Sequence, residues 1–240
     1  MGNIWMWISF ALGIVCLLLW RRVRWLRIDM GRIERSKAGL NNELTRMEYL
    51  QLSQQIQPHF LFNALNLLLS LARLDRKEEL LGALENLALF LRSGYTSRSS
   101  LMSIESELNL AAHYLAIQQM RFGSRLTVET VASEEVRKRD MIPYLLQTFI
   151  ENAFKHGLER QTGPVKLTII FKETEGGTQL IVEDNGPQTE SELSGRGGAG
   201  LHNLRRRLNL LYGAKAGIEL CHEGENTLAV AWWPLEVSGD

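Results

Sequence analysis

Between Pro58 and Ala72 the only polar residues are His59, Asn63, Asn66 and Ser70, three or four positions apart. On a helix this spacing draws one narrow polar seam. Phe60, Ala64, Leu67, Leu71 and Leu74 flank it on one side, and Leu61, Leu65, Leu68 and Ala72 on the other. A lone helix cannot leave two apolar flanks in water, so the chain must supply partners for both. His59 heads the seam directly after Pro58, whose ring removes a helical hydrogen bond and loosens that turn. By itself a helical histidine is structural more often than reactive. Residues some ninety positions downstream decide which applies here.

The nearest partners are two further helical segments. Glu78 to Ser93 carries Leu80, Leu81, Leu84, Leu87, Ala88 and Leu91 on one side, and the polar run Ser93 to Ser100 ends it. A third helix is expected from Ser103, an N-cap with Glu105 and Glu107 in its first turn, to about Arg121. A hairpin of two helices cannot bury faces this apolar, so a homodimeric four-helix bundle is the expected solution.

Upstream, Ile4 to Trp20 is almost wholly apolar, just long enough to span a bilayer, where the lower limit is about 17 residues. Arg21, Arg22, Arg24 and Arg27 follow at once and nothing basic precedes it. A secretory signal has the opposite order. The expectation is a single-pass membrane helix, N-terminus outside and the rest in the cytoplasm. Ile33, Leu40 and Met47, with Met30 and Leu44, fit a short heptad pattern weakened by Gly31 and Gly39, as in a coiled-coil connector. The 27 basic and 27 acidic residues balance, so no direct nucleic-acid binding is indicated. Cys16 and Cys221 form neither a disulfide framework nor a zinc spacing.

After Leu126 the period changes. Leu126 to Val131, Val165 to Lys172 and Gln179 to Glu183 read as strands, and Ile218 to Cys221 with Thr227 to Trp232 as a closing pair. Met141 to Leu158 and Leu201 to Tyr212 read as helices, and Asp184 to Gly200 as a glycine-rich loop. The fold class expected is α+β: a transmembrane helix (1–20), a basic coiled-coil connector (21–52), a helical dimerisation domain (53–125) and a two-layer α/β sandwich (126–240).

Three stretches of the second half carry candidate chemistry. In Glu151-Asn152-Ala153-Phe154-Lys155-His156, Asn152 and His156 lie four apart on a helix, as do Glu151 and Lys155. An amide oxygen suits Mg²⁺ and a lysine suits phosphate, though a plain polar face has the same pattern. Asp184-Asn185-Gly186 ends a strand. It is either a turn or a carboxylate set to accept from an exocyclic amine such as that of adenine. Gly195-Arg196-Gly197-Gly198-Ala199-Gly200-Leu201 leads into a helix, where free amides and the positive dipole end favour phosphate. It is neither a Walker loop nor a Rossmann fingerprint.

Taken together, Gln57-Pro58-His59-Phe60-Leu61-Phe62-Asn63-Ala64-Leu65-Asn66 resembles the phospho-acceptor motif of LytS-like (YehU-type) sensor histidine kinases. Glu151 to His156, Asp184-Asn185-Gly186 and Gly198-Ala199-Gly200-Leu201-His202-Asn203 resemble the N, G1 and G2 boxes of the Bergerat-type ATPase domain shared with gyrase and Hsp90. Tyr114 to Gly123 is similar to the segment that joins the two parts in that family. The resemblance implies ATP-dependent autophosphorylation of His59 and transfer to an aspartate of a response regulator, one with a LytTR-type DNA-binding domain. It implies that Asn152 ligates Mg²⁺, Asp184 holds the adenine amine, Lys155 and His156 lie in the nucleotide site, and Gly186, Gly198, Gly200, Leu201 and Asn203 shape it.

Two departures stand out: Gly186 is followed by Pro187 and Gln188 where a second glycine is usual, and Arg196 replaces the first glycine of the G2 box. Many histidine kinases place a carboxylate directly after the acceptor, where this chain has Phe60. Asn63, one turn along, is expected to orient the ring, and Glu151 to act as its base. The alternatives are a nucleotide-binding adapter without transfer, and an ATPase that only drives dimer closure.

Overall fold

Helix α1 (Pro58–Arg73) carries the polar seam. The computed structural model describes residues 58–96, 100–187 and 198–236. The expected membrane segment, the coiled-coil connector and the stretch around Arg196 lie outside them. Among the described residues no helix is long and apolar enough to cross a membrane.

Helix α1 buries Phe60, Ala64, Leu68 and Leu71, a line at helical spacing. Helix α2 (Lys77–Thr96) answers with Ala83, Leu87 and Phe90 and packs on both α1 and helix α3 (Ile104–Phe122). A second apolar line stays open to solvent: Phe62 (68% exposed), Leu65 (45%) and Leu69 (55%) on α1, and Leu81 (51%) and Leu84 (43%) on α2. Part of the apolar surface of both helices is therefore uncovered within a single chain. Ser103 caps α3 as its sequence suggests, its side chain accepting the Ser106 N–H at 3.2 Å.

Strands β2 (Leu126–Val131), β4 (Val165–Thr174), β5 (Gly177–Asp184), β7 (Asn226–Pro234) and β6 (Gly217–Glu223) form one sheet in that order, β2 parallel to β4 and the rest antiparallel. Alternate residues face inward: Val165, Leu167, Ile169 and Phe171 on β4, Leu180 and Val182 on β5, Ala229, Ala231 and Trp233 on β7. Helices α5 (Leu145–His156) and α6 (Ala199–Tyr212) pack against the sheet, giving a mixed α/β sandwich. Two elements escape the sequence reading: the four-residue helix α4 (Glu134–Arg137) and a two-residue pair, β1 (Met102–Ser103) with β3 (Asp140–Met141).

That small pair shortens the expected Met141–Leu158 helix. Met141 is committed to Met102, and Pro143 and Tyr144 make the turn, Tyr144 at φ 65. No side chain of α5 or its cap residue caps it. Instead Glu107, fully buried on α3, accepts the backbone N–H of Tyr144 at 3.0 Å and of Gln147 at 3.2 Å. Burial raises the Glu107 carboxyl to a pKa of about 7, against the pull of those N–H groups and of Arg207. Helix α3 thus holds the start of α5 by a buried side chain. Glu107→Ala would leave two buried donors without an acceptor, each costing about 1–3 kcal/mol. Urea unfolding should show a loss of roughly 3 kcal/mol at neutral pH.

Candidate active site

Helix α5 buries Leu145, Leu146, Phe149, Ile150, Ala153 and Phe154, which leaves Thr148, Asn152 and Lys155 facing outward one turn apart. Asn152 is half-buried and Lys155 exposed. Asn152 thus offers an oxygen and Lys155 a cation along one open face, and His156 is half-buried beside them.

The two glycine-bearing motifs meet opposite ends of this helix. A Cβ on Gly200 would lie 3.3 Å from Thr148 Cγ2, so the start of α6 rests on the N-terminal half of α5. Gly198 precedes the helix, Leu201 is buried behind it and Asn203 is half-buried. A Cβ on Gly186 would meet Gly157 at 2.2 Å, closer than any side chain allows, so only glycine lets the end of β5 press on the end of α5. Asp184 is buried and its Oδ1 accepts the Gly186 N–H at 3.0 Å. Asn185 accepts the Lys166 N–H and donates to the Pro164 carbonyl, so its side chain pins the loop.

His59 is half-exposed and lies against the turn that follows α5 (Leu158–Arg160). Its Nε2 is 3.6 Å from Glu159 Oε2. Arg121 of α3 donates to Glu159 Oε1 at 2.7 Å. The Asn63 amide nitrogen sits 3.3 Å from Nε2 and 3.5 Å from Nδ1 of His59, and 3.5 Å from Glu159 Oε1. The amide presents its nitrogen here, since a carboxylate lies on that side. Glu151 points elsewhere: it is buried, accepts from Gln147 Nε2 at 2.7 Å, and faces Tyr114. Burial raises its carboxyl to a pKa of about 7, with the charge of Glu107 adding to the rise and Gln147 and Lys155 opposing it.

The structure therefore gathers Asn152, Lys155, Gly186 and Gly200 around α5, and His59 with Asn63 beside Glu159. Thr148 and Glu159 were not singled out in the sequence, and Glu107 and Arg121 were read only as a first-turn acid and the end of the third helix. Arg121 and Glu159 are ordinary surface charges until the fold brings them together across 38 positions. Thr148 alone carried a legible signal, standing one turn before Asn152.

A family model described as histidine kinase matches residues 47–126. The sensor histidine kinase YesM of Bacillus subtilis is 35% identical over 74% of this chain and 31% of its own length. The sensor protein LytS of the same organism is 29% identical over 80% of this chain and 34% of its own. The chain thus spans about a third of the length of these two relatives. A third B. subtilis protein, YwpD, whose printed name states no function, is 31% identical over 82% of this chain and 74% of its own.

The raised carboxyl of Glu151 has a consequence for stability. A group with a raised folded pKa favours the fold when protonated. That contribution is complete below about pH 4.5 and is lost as pH climbs to about 7, where a buried charge appears. Glu151→Gln has no proton to lose. Its stability relative to the parent should rise between pH 4.5 and 7 and then level off, by up to about 3 kcal/mol. Urea midpoints across that range check the sign, and a constant difference would refute it.

Proposed function

We propose, from the premise that this chain belongs to the LytS-like sensor histidine kinases, that it phosphorylates His59 from ATP and passes the group to an aspartate of a response regulator. The observation that carries this is the convergence on α5. Gly200 and Gly186 close on its two ends, and the acceptor helix packs on the same domain. A mere ATPase has no use for a half-exposed histidine held beside its nucleotide helix.

Asp184 takes the adenine amine at the Gly186 end, and Gly198, Gly200, Leu201 and Asn203 shape the phosphate end at the start of α6. Lys155 and His156 line the open face, where Lys155 meets phosphate charge. The residues fit Mg²⁺: Asn152 offers one hard oxygen on that face, and this ion keeps waters and uses substrate phosphates for the rest. Bound there, it would neutralise charge on the phosphates as they transfer. Asn63 orients the imidazole, and Glu151 takes the proton its ring loses. A carboxyl near pH 7 in pKa suits that task. Glu151 reaches the ring only after the acceptor helix shifts along α5.

The open lines Phe62, Leu65, Leu69 and Leu81, Leu84 pair with a second copy, giving a homodimeric four-helix bundle. Residues 1–20 anchor the dimer in the cytoplasmic membrane, with 21–52 as a coiled-coil connector. The helical and ATPase domains, 53–125 and 126–240, lie in the cytoplasm beside a response regulator of LytTR type.

Incubation with γ-labelled ATP tests the reading. The parent should gain acid-labile, base-stable label, and His59→Gln none. Asn152→Ala should lose Mg²⁺-dependent nucleotide binding. Glu151→Gln should bind ATP yet label about 100-fold more slowly or worse. Released phosphate without protein label would favour the ATPase, and nucleotide binding without either would favour the adapter.

A further inference from the structure

The histidine is docked at one end of α5 and the phosphates belong at the other. Gly200 and the start of α6, where free amides favour phosphate, lie against Thr148. Glu159 follows Gly157, which meets Gly186 and through it the Asp184 loop. Thr148 and Gly157 are nine positions apart, about 14 Å along a helix at about 1.5 Å per residue. Transfer needs the attacking nitrogen about 3–3.5 Å from its target. Resting on Glu159, His59 is at the adenine end of the proposed site and out of reach of the γ-phosphorus.

We infer that Glu159, braced by Arg121, is a latch that stores the phospho-acceptor in an unreactive position. Three features on the page support it. The Glu159 side chain is only 17% exposed and is fixed through Oε1 by Arg121 at 2.7 Å, which leaves Oε2 to face the imidazole at 3.6 Å. The Asn63 amide closes the group from the acceptor side, 3.5 Å from Glu159 Oε1. The His59 side chain is 49% exposed, so little else holds the ring. A half-exposed pair of this kind is weak enough to be opened by a small displacement of α1 or α3. Freeing the ring lets the acceptor move along α5 toward Asn152. The inference rests on the reading of Asp184 and Gly200 as the two ends of an ATP site.

Two measurements on the full chain in detergent micelles test it. The first is the rate of labelling by γ-labelled ATP. Glu159→Gln, which keeps the shape and removes the charge, should label up to about fivefold faster, the most such a pair can withhold. Glu159→Asp should fall between. His59→Gln combined with Glu159→Gln should take no label. The second uses no nucleotide: diethyl pyrocarbonate modification of His59, followed by peptide mass spectrometry, should also be faster in Glu159→Gln. A Glu159→Gln chain that labels at or below the parent rate, or whose His59 reacts no faster with the reagent, overturns the latch. A parent chain that takes no label overturns the kinase reading itself and the latch with it.

Discussion

Tyr114 lies with its ring 4.5 Å from Phe60 of the acceptor helix and 5.9 Å from Phe154 of α5, and most of the architecture depends on that bridge. Phe90 joins from α2 at 5.0 Å from Phe60, and Phe122 closes the stack 5.4 Å from Phe154. Five rings from four helices thus make one continuous apolar contact between the histidine-bearing segment and α5. Each such pair contributes about 0.5–1.5 kcal/mol beyond the burial of its area. The Tyr114 hydroxyl accepts from Gln118 at 2.8 Å, and burial holds it well above the usual phenol range. The residue after the acceptor is therefore a packing anchor.

With Phe60 committed to the core, the polar seam must find its charge partner elsewhere. It finds Glu159, which Arg121 of α3 holds in place. Glu107, on that helix too, caps the start of α5. Helix α3 consequently touches both ends of α5, through Glu107 at the beginning and Arg121 past the end. A shift of α3 would be felt at α5 and at the histidine together. Regulation through such a helix needs only a small displacement, because the contact at the histidine end is weak.

Much of this was legible in the sequence where the period was strong. The α1 seam, the Ser103 cap and the alternating strands of the sheet follow from local pattern. Gly186 and Gly200 were marked by their place in glycine-rich motifs, and the fold gives the reason: each stands where a backbone presses on α5. What escaped was what only tertiary contact creates. The two-residue β1–β3 pair has no period to detect, and it displaces the start of α5 from Met141 to Leu145. Glu159 and Arg121, 38 positions apart, gained meaning only when the fold brought them together. The surroundings of Glu151 were equally hidden: its carboxylate is buried against Gln147, with its acidity set by desolvation.

The central claim is that α1, which bears His59, and α5 are one packed unit through Phe60, Tyr114 and Phe154. Amide hydrogen exchange of residues 145–156 in a Phe60→Ala chain tests it most directly. If the rings couple the two helices, protection should fall along α5 as well as α1, by about tenfold for each 1.4 kcal/mol of lost coupling. Faster exchange confined to α1, with α5 protected as in the parent, would contradict it.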